Sequence, residues 1–184
     1  PVVVRRGCGK TLGVVSAWFQ QGGKHAFMTG DDLVYSMTTC GSMGQTFRNQ
    51  YLGTQLGYNN IVPHIDGQTA PRVQSLAGSS VAFNVGEWIA YGSCPAPHDF
   101  DAIETMPGTE RLAEFLPPEG GGSGYTFAAA TRRTNVADVV LLPYDLASVV
   151  NSPDGPPPPG LPAKPARAWF LEDVLRAFGW SGGL

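Results

Sequence analysis

Gly7-Cys8-Gly9-Lys10-Thr11 gathers glycines, a lysine and a hydroxyl in five consecutive residues, just after the β-branched run Val2-Val3-Val4. Glycine lets backbone N–H groups approach a phosphate closely, an ammonium meets the outer phosphate oxygens, and a hydroxyl reaches the accompanying Mg²⁺. On that chemistry Gly9, Lys10 and Thr11 are candidate nucleotide contacts. A second group is Gly30-Asp31-Asp32, between the apolar runs Ala26-Phe27-Met28 and Leu33-Val34-Tyr35. Two carboxylates on a tight corner are what two-metal phosphoryl transfer uses to hold its ions. Nucleophiles are also present. Ser42 lies in Cys40-Gly41-Ser42-Met43-Gly44 and Ser123 in Gly121-Gly122-Ser123-Gly124-Tyr125, with Cys8 and Cys40 as thiols. His25, His64 and His98, with Asp31, Asp66 and Asp99, supply bases and orienting carboxylates. His64-Ile65-Asp66 and Cys94 with His98-Asp99-Phe100-Asp101 hold metal-ligand types, without the close-spaced pairs of zinc sites.

None of these motifs is whole. Gly7 to Thr11 resembles the end of the P-loop, the Walker A motif of nucleoside triphosphatases, but the motif's first glycine falls at Val4. No acidic strand follows, because Val139-Val140-Leu141-Leu142 runs into Pro143-Tyr144 before Asp145. Gly30-Asp31-Asp32 resembles the metal-binding corner of RNA-directed RNA polymerases. Such an enzyme needs a much longer chain and an earlier Asp on another strand, and nothing before residue 24 supplies one. Ser42 is similar to a nucleophile elbow with Cys40 in place of the first glycine, and Ser123 lacks the last one. Ordinary structure explains each group: Gly and Asp are turn residues, and cysteines are commonly buried. The expectation is therefore that no catalytic residue, metal or cofactor is assigned, and a non-enzymatic role is favoured over an enzymatic one. The alternative is nucleotide binding through Gly9, Lys10 and Thr11, or a Ser or Cys hydrolase.

Composition points the same way. Only 15% of the 184 residues are charged, and the chain holds 24 Gly and 16 Pro. Globular chains carry about 25% charge, so this one has many turns and short elements, with surface suited to meeting other protein. A net charge of −3 argues against a broad nucleic-acid-binding surface. Three cysteines without a close-spaced pair argue against a disulfide framework and for reduced thiols. No apolar run approaches a membrane span, and the first residues lack the features of a signal peptide. The expected location is the cytoplasm or a virion.

The elements that must position these residues read as a β-rich α+β domain over residues 1–150. Strands are expected at Val2–Val4, His25–Met28, Leu33–Thr38, Val73–Ala77, Val81–Tyr91 with a bend near Gly86, Tyr125–Thr131, Val136–Leu142 and Asp145–Val150. His25–Met28 and Leu33–Thr38 form a hairpin about the Gly30-Asp31-Asp32 corner. Helices are expected at Gln45–Leu56, capped by Gly57, and at Thr109–Leu116, while Leu12–Gln21 suits either type.

Residues 151–167 are rich in proline, including Pro156-Pro157-Pro158-Pro159. At about 3.1 Å per residue this polyproline II spacer could reach some 40 Å. Residues 168–184 hold a helix, Ala168–Phe178, with Phe170, Leu171, Val174, Leu175 and Phe178 on one face and the Glu172/Arg176 pair on the other. Too short to stand alone in water, it must dock on its own domain or a neighbour, with Trp169, Phe170, Val174, Phe178 and Trp180 as the contact residues. The functional expectation is a structural or interaction protein, one subunit of a larger homo- or hetero-oligomer such as a viral capsid or outer coat.

Overall fold

The computed structural model describes residues 8–65, 67, 71–90, 100–117, 125–151 and 164–182. In chain order the elements are α1 (Cys8–Phe19), β1 (His25–Thr29), α2 (Leu33–Thr38), α3 (Gly41–Phe47), β2 (Thr54–Tyr58), β3 (Arg72–Ser75), β4 (Glu87–Ile89), β5 (Ala102–Thr105), β6 (Thr109–Phe115), β7 (Ala128–Thr134), β8 (Asp138–Leu142), β9 (Val150–Asn151) and α4 (Ala166–Ala177). A π turn, Arg48–Leu52, follows α3, and 3₁₀ turns occupy Val62–His64 and Leu146–Ser148. The strands make one curled sheet in the order β1-β8-β7-β6-β3-β4-β9, with β5 joining β7 to β2. The fold is α+β and β-rich, as the composition implies. Only β1 and β8 run parallel; the other pairings among the described residues are antiparallel.

The apolar run Val139–Leu142 explains the layering. Val140 and Leu142 enter a core with Val73, Trp88, Leu112, Phe115, Tyr144, Phe170 and Val174, on the α4 side of the sheet. Val139 and Leu141 enter a second core with Leu12, Phe19, Val34, Met37, Phe47 and Tyr51, on the α1–α3 side. A strand covered on both faces reads as continuously apolar rather than alternating. The buried Trp88 indole donates to the Tyr144 hydroxyl at 3.0 Å, so both large rings keep a polar partner inside the first core.

Several expected elements change type. Leu33–Thr38 is a helix, not the second arm of a hairpin, and it buries Val34 and Met37 three residues apart. What stabilises its first turn comes from far away: an Asp101 carboxylate oxygen accepts the N–H groups of Val34 at 2.7 Å and Tyr35 at 3.1 Å. Thr109–Phe115 is a strand, not a helix. A register shift between Arg111 and Ala113 breaks its alternation, so Leu112 and Phe115 fall at a helical spacing. The helix expected over Gln45–Leu56 ends at Leu52 in the π turn, and Leu56 lies in β2. Gly53, at φ +59°, closes it instead of Gly57. A Cβ there would stand 1.8 Å from Thr109 Oγ1. The chain around Phe83 and Val85 packs on the first core without forming a strand, leaving β4 as a three-residue element. Leu146–Ser148 is 3₁₀, and Leu12–Gln21 resolves to the helix α1. Val2–Val4 lies outside the described residues.

The proline-rich segment has its described ends side by side. Asn151 Oδ1 accepts the Ala166 N–H at 2.5 Å, so the chain enters α4 at the place where it left β9. α4 packs on its own sheet.

Candidate interaction surface

α1 is built from CGKTLGVVSAWF, with Lys10 its one charged residue. Leu12 and Phe19 turn inward, Phe19 lying 5.0 Å from the ring of Tyr51. The opposite face holds Val14, Ala17 and Trp18, spaced three and then one residue apart along a helix. Val14 is 71% exposed and Trp18 42% exposed. Met43 of α3, which packs beside α1, is also exposed. An apolar helix face is ordinarily turned to the core. Here one flank faces solvent, beside the Lys24 ammonium lying 5.6 Å from the Trp18 ring.

α4 presents the reverse. Trp169, Phe170 and Val174 are buried in the molecule's own core, Phe170 stacking on Phe83 at 4.4 Å and standing edge-on to Trp88 at 5.2 Å. Phe178 lies 5.0 Å from the His25 ring and is half-buried, while Trp180 is exposed. Glu172 is buried and paired with Lys164 at 3.0 Å and Arg176 at 2.6 Å. Asp173 is buried as well and accepts from the backbone N–H and side-chain amide of Asn84. Burial raises the Asp173 pKa against these bonds and Arg176, while Glu172 raises it further. Arg132 joins the end of α4 to the sheet by donating to both Asp138 oxygens, to Ala177 O and to Ser80. The Asp138 hydrogen bonds hold its pKa above the usual arginine value. Arg133 donates to Gln50 O, Pro107 O and Thr109 Oγ1. Both arginines of this pair therefore serve the fold.

The acidic corner gains a third carboxylate that its sequence neighbourhood does not show. Gly30-Asp31-Asp32 is the turn from β1 into α2, with Asp32 in the left-handed region at φ 50°. Asp31 accepts the Asp145 N–H at 3.0 Å. Asp101 lies just before β5 and is fully buried; one oxygen caps α2, and the other takes no hydrogen bond among the described residues. Burial pushes its pKa to about 7, the α2 N–H groups oppose this, and the charges of Asp32 and Asp31 add to it. Among the described residues no three His, Cys, Asp or Glu side chains stand together so as to hold a metal ion. The corner caps and turns the chain.

The other candidate groups stay apart. Lys10 and Thr11 lie in the first turn of α1, with Lys10 exposed, and Val4 is outside the described residues. Ser42 is exposed within α3 and is not on a strand-to-helix elbow. His64 stacks on Tyr58 at 3.4 Å, and His25 Nδ1 is 3.2 Å from Asp138. Cys40 Sγ lies 3.2 Å from Ser36 O. Asp66, Cys94, His98, Asp99 and Ser123 are outside the described residues. No described helix is long and apolar enough to cross a membrane.

Comparison with protein-family models, curated proteins and solved structures gave no match.

Proposed function

We propose that this protein is a structural subunit of a larger protein assembly, of the kind that builds a coat or capsid, in the cytoplasm or in a virion. The observation that carries the reading is the outward face of α1, where Val14 and Trp18 are open to solvent on a helix with a single charge. Leaving apolar area of this kind in water forgoes roughly 25 cal/mol for each Å², which contact with another subunit recovers. The low charged share of the chain, 15%, suits a surface that meets protein over much of its extent. The C-terminal helix contributes stability to its own subunit, and contact with neighbours falls to α1.

Light scattering on the purified chain tests this. The expected result is a mass above that of a monomer, reduced by Val14→Asp with Trp18→Asp at an unchanged melting temperature. A monomer at every concentration, alone and with its native partners present, would sink the reading. The nucleotide alternative through Gly9, Lys10 and Thr11 makes a different forecast: Mg-ATP raises Tm and Lys10→Ala abolishes the rise.

A further inference from the structure

β1 is the end strand of the sheet. Among the described residues it pairs with β8 alone, and the register, His25 with Asp138 through Thr29 with Leu142, is parallel. Asp138 N–H donates to Lys24 O at 2.9 Å, which fixes the phase of the ladder. In a parallel ladder every second residue of a strand faces its partner. Ala26 and Met28 therefore turn their backbone groups to β8, and His25, Phe27 and Thr29 turn theirs outward. Among the described residues, no backbone hydrogen bond is made by these three in the outward direction.

Both faces of β1 are covered. Phe27 meets Phe170 at 5.9 Å on the α4 side, and Ala26 and Met28 pack in the second core on the other. Among the described residues the edge is not paired, and the strand stays part-exposed along Ala26–Thr29 where Val139–Leu142 of its neighbour β8 are buried. Sheet edges are usually protected by proline, a bulge or an inward charge. His25-Ala26-Phe27-Met28-Thr29 has no proline, no Lys, Arg, Asp or Glu, and a regular register.

The charges flanking this edge are asymmetric. Lys24 and His25 stand at its start, and Asp31 and Asp32 just past its end. We infer that β1 pairs with β1 of a second copy, antiparallel about a two-fold axis at Phe27. This rests on the assembly reading and names the partner. The pairing sets His25 opposite Thr29 of the other copy at both ends and closes about six main-chain hydrogen bonds, two for each facing pair. It places Lys24 of each copy beside Gly30-Asp31 of the other, twice over, as an isologous contact requires. Parallel pairing would stack lysine on lysine and aspartate on aspartate. The open α1 face adjoins this edge, since Lys24 lies against Trp18, so the two surfaces are continuous.

Two charge-reversed chains test the inference. Lys24→Glu alone sets a carboxylate against Asp31 of its mate, and Asp31→Lys alone sets an ammonium against Lys24 of its mate. Sedimentation velocity on each is expected to show self-association weakened tenfold or more. An equimolar mixture is expected to recover pairing, because one of the two facing ends then joins opposite charges of the reversed kind and the other those of the native kind. Recovery also shows that both variants are folded. In the wild type, hydrogen exchange at the His25, Phe27 and Thr29 amides is expected to slow as concentration rises, while Ala26 and Met28 stay protected throughout. Association by Lys24→Glu as strong as that of wild type would overturn the β1 pairing while leaving assembly through another surface standing. Outward amides that exchange at one rate at all concentrations would overturn the pairing too.

Discussion

α1 and α4 are both twelve residues long, and they reverse what their sequences advertise. α4 carries four charged residues and an amphipathic pattern, follows a proline-rich stretch, and invites the reading of an arm sent to a neighbour. Instead it is anchored at home by Phe170 and Val174, by the buried Glu172 and Asp173, and by Arg132 at the carbonyl of Ala177. α1 has one charged residue, Lys10, yet it leaves Val14 and Trp18 in solvent. The lesson is that paired charges do not mark an outward face. A carboxylate with two cationic partners, as Glu172 has, can be buried, whereas an apolar residue is buried only if something is there to cover it.

The largest expected effect lies in α4. Phe170→Ala removes the ring shared by Phe27, Phe83 and Trp88 and is expected to cost about 3–5 kcal/mol, lowering Tm by on the order of 10 °C in calorimetry. A loss as small as that of a surface substitution would place α4 away from the sheet. Next is Asp173→Ala, which strands the backbone N–H and amide of Asn84; the expected cost in denaturant unfolding is about 1–3 kcal/mol.

A third effect belongs to the α1–α3 side and depends on pH. Asp101 titrates near 7 in the folded protein against 3.8 unfolded, so between those values the folded state holds a proton that the unfolded chain has lost. Stability is therefore expected to fall as pH rises from about 4 to 7. Asp101→Asn should flatten that slope, because the amide oxygen still accepts from Val34 and Tyr35. Unfolding midpoints of the two proteins across this range, running in parallel, would refute it. The smallest change in stability is expected for Val14→Ser, within about 0.5 kcal/mol, as befits a site 71% exposed. Its effect falls on association instead.

Local pattern made some of this legible. The apolar run Val139–Leu142 and the spacing of Phe170 and Val174 identified β8 and α4 within a few residues, because each is organised by its own side chains. Leu33–Thr38 misled because a distant carboxylate, Asp101, sustains its first turn, and Thr109–Phe115 misled because a bulge put Leu112 and Phe115 at helical spacing. Tertiary partners decided both, and no window of sequence contains them. The outward face of α1 is likewise hidden: Val14, Val15, Trp18 and Phe19 share a helical spacing, yet Phe19 is buried while Val14 and Trp18 are exposed. The Gly30-Asp31-Asp32 corner was legible as a turn, but its third carboxylate, Asp101, comes from much further along the chain.

The central claim is that subunits meet through α1 and the strand beside it while α4 serves its own core. Sedimentation velocity of Val14→Asp with Trp18→Asp, compared with wild type, tests it most directly. The expected outcome is a shift of the variant toward monomer, at a Tm equal to that of wild type. An unshifted size distribution at equal Tm would contradict it.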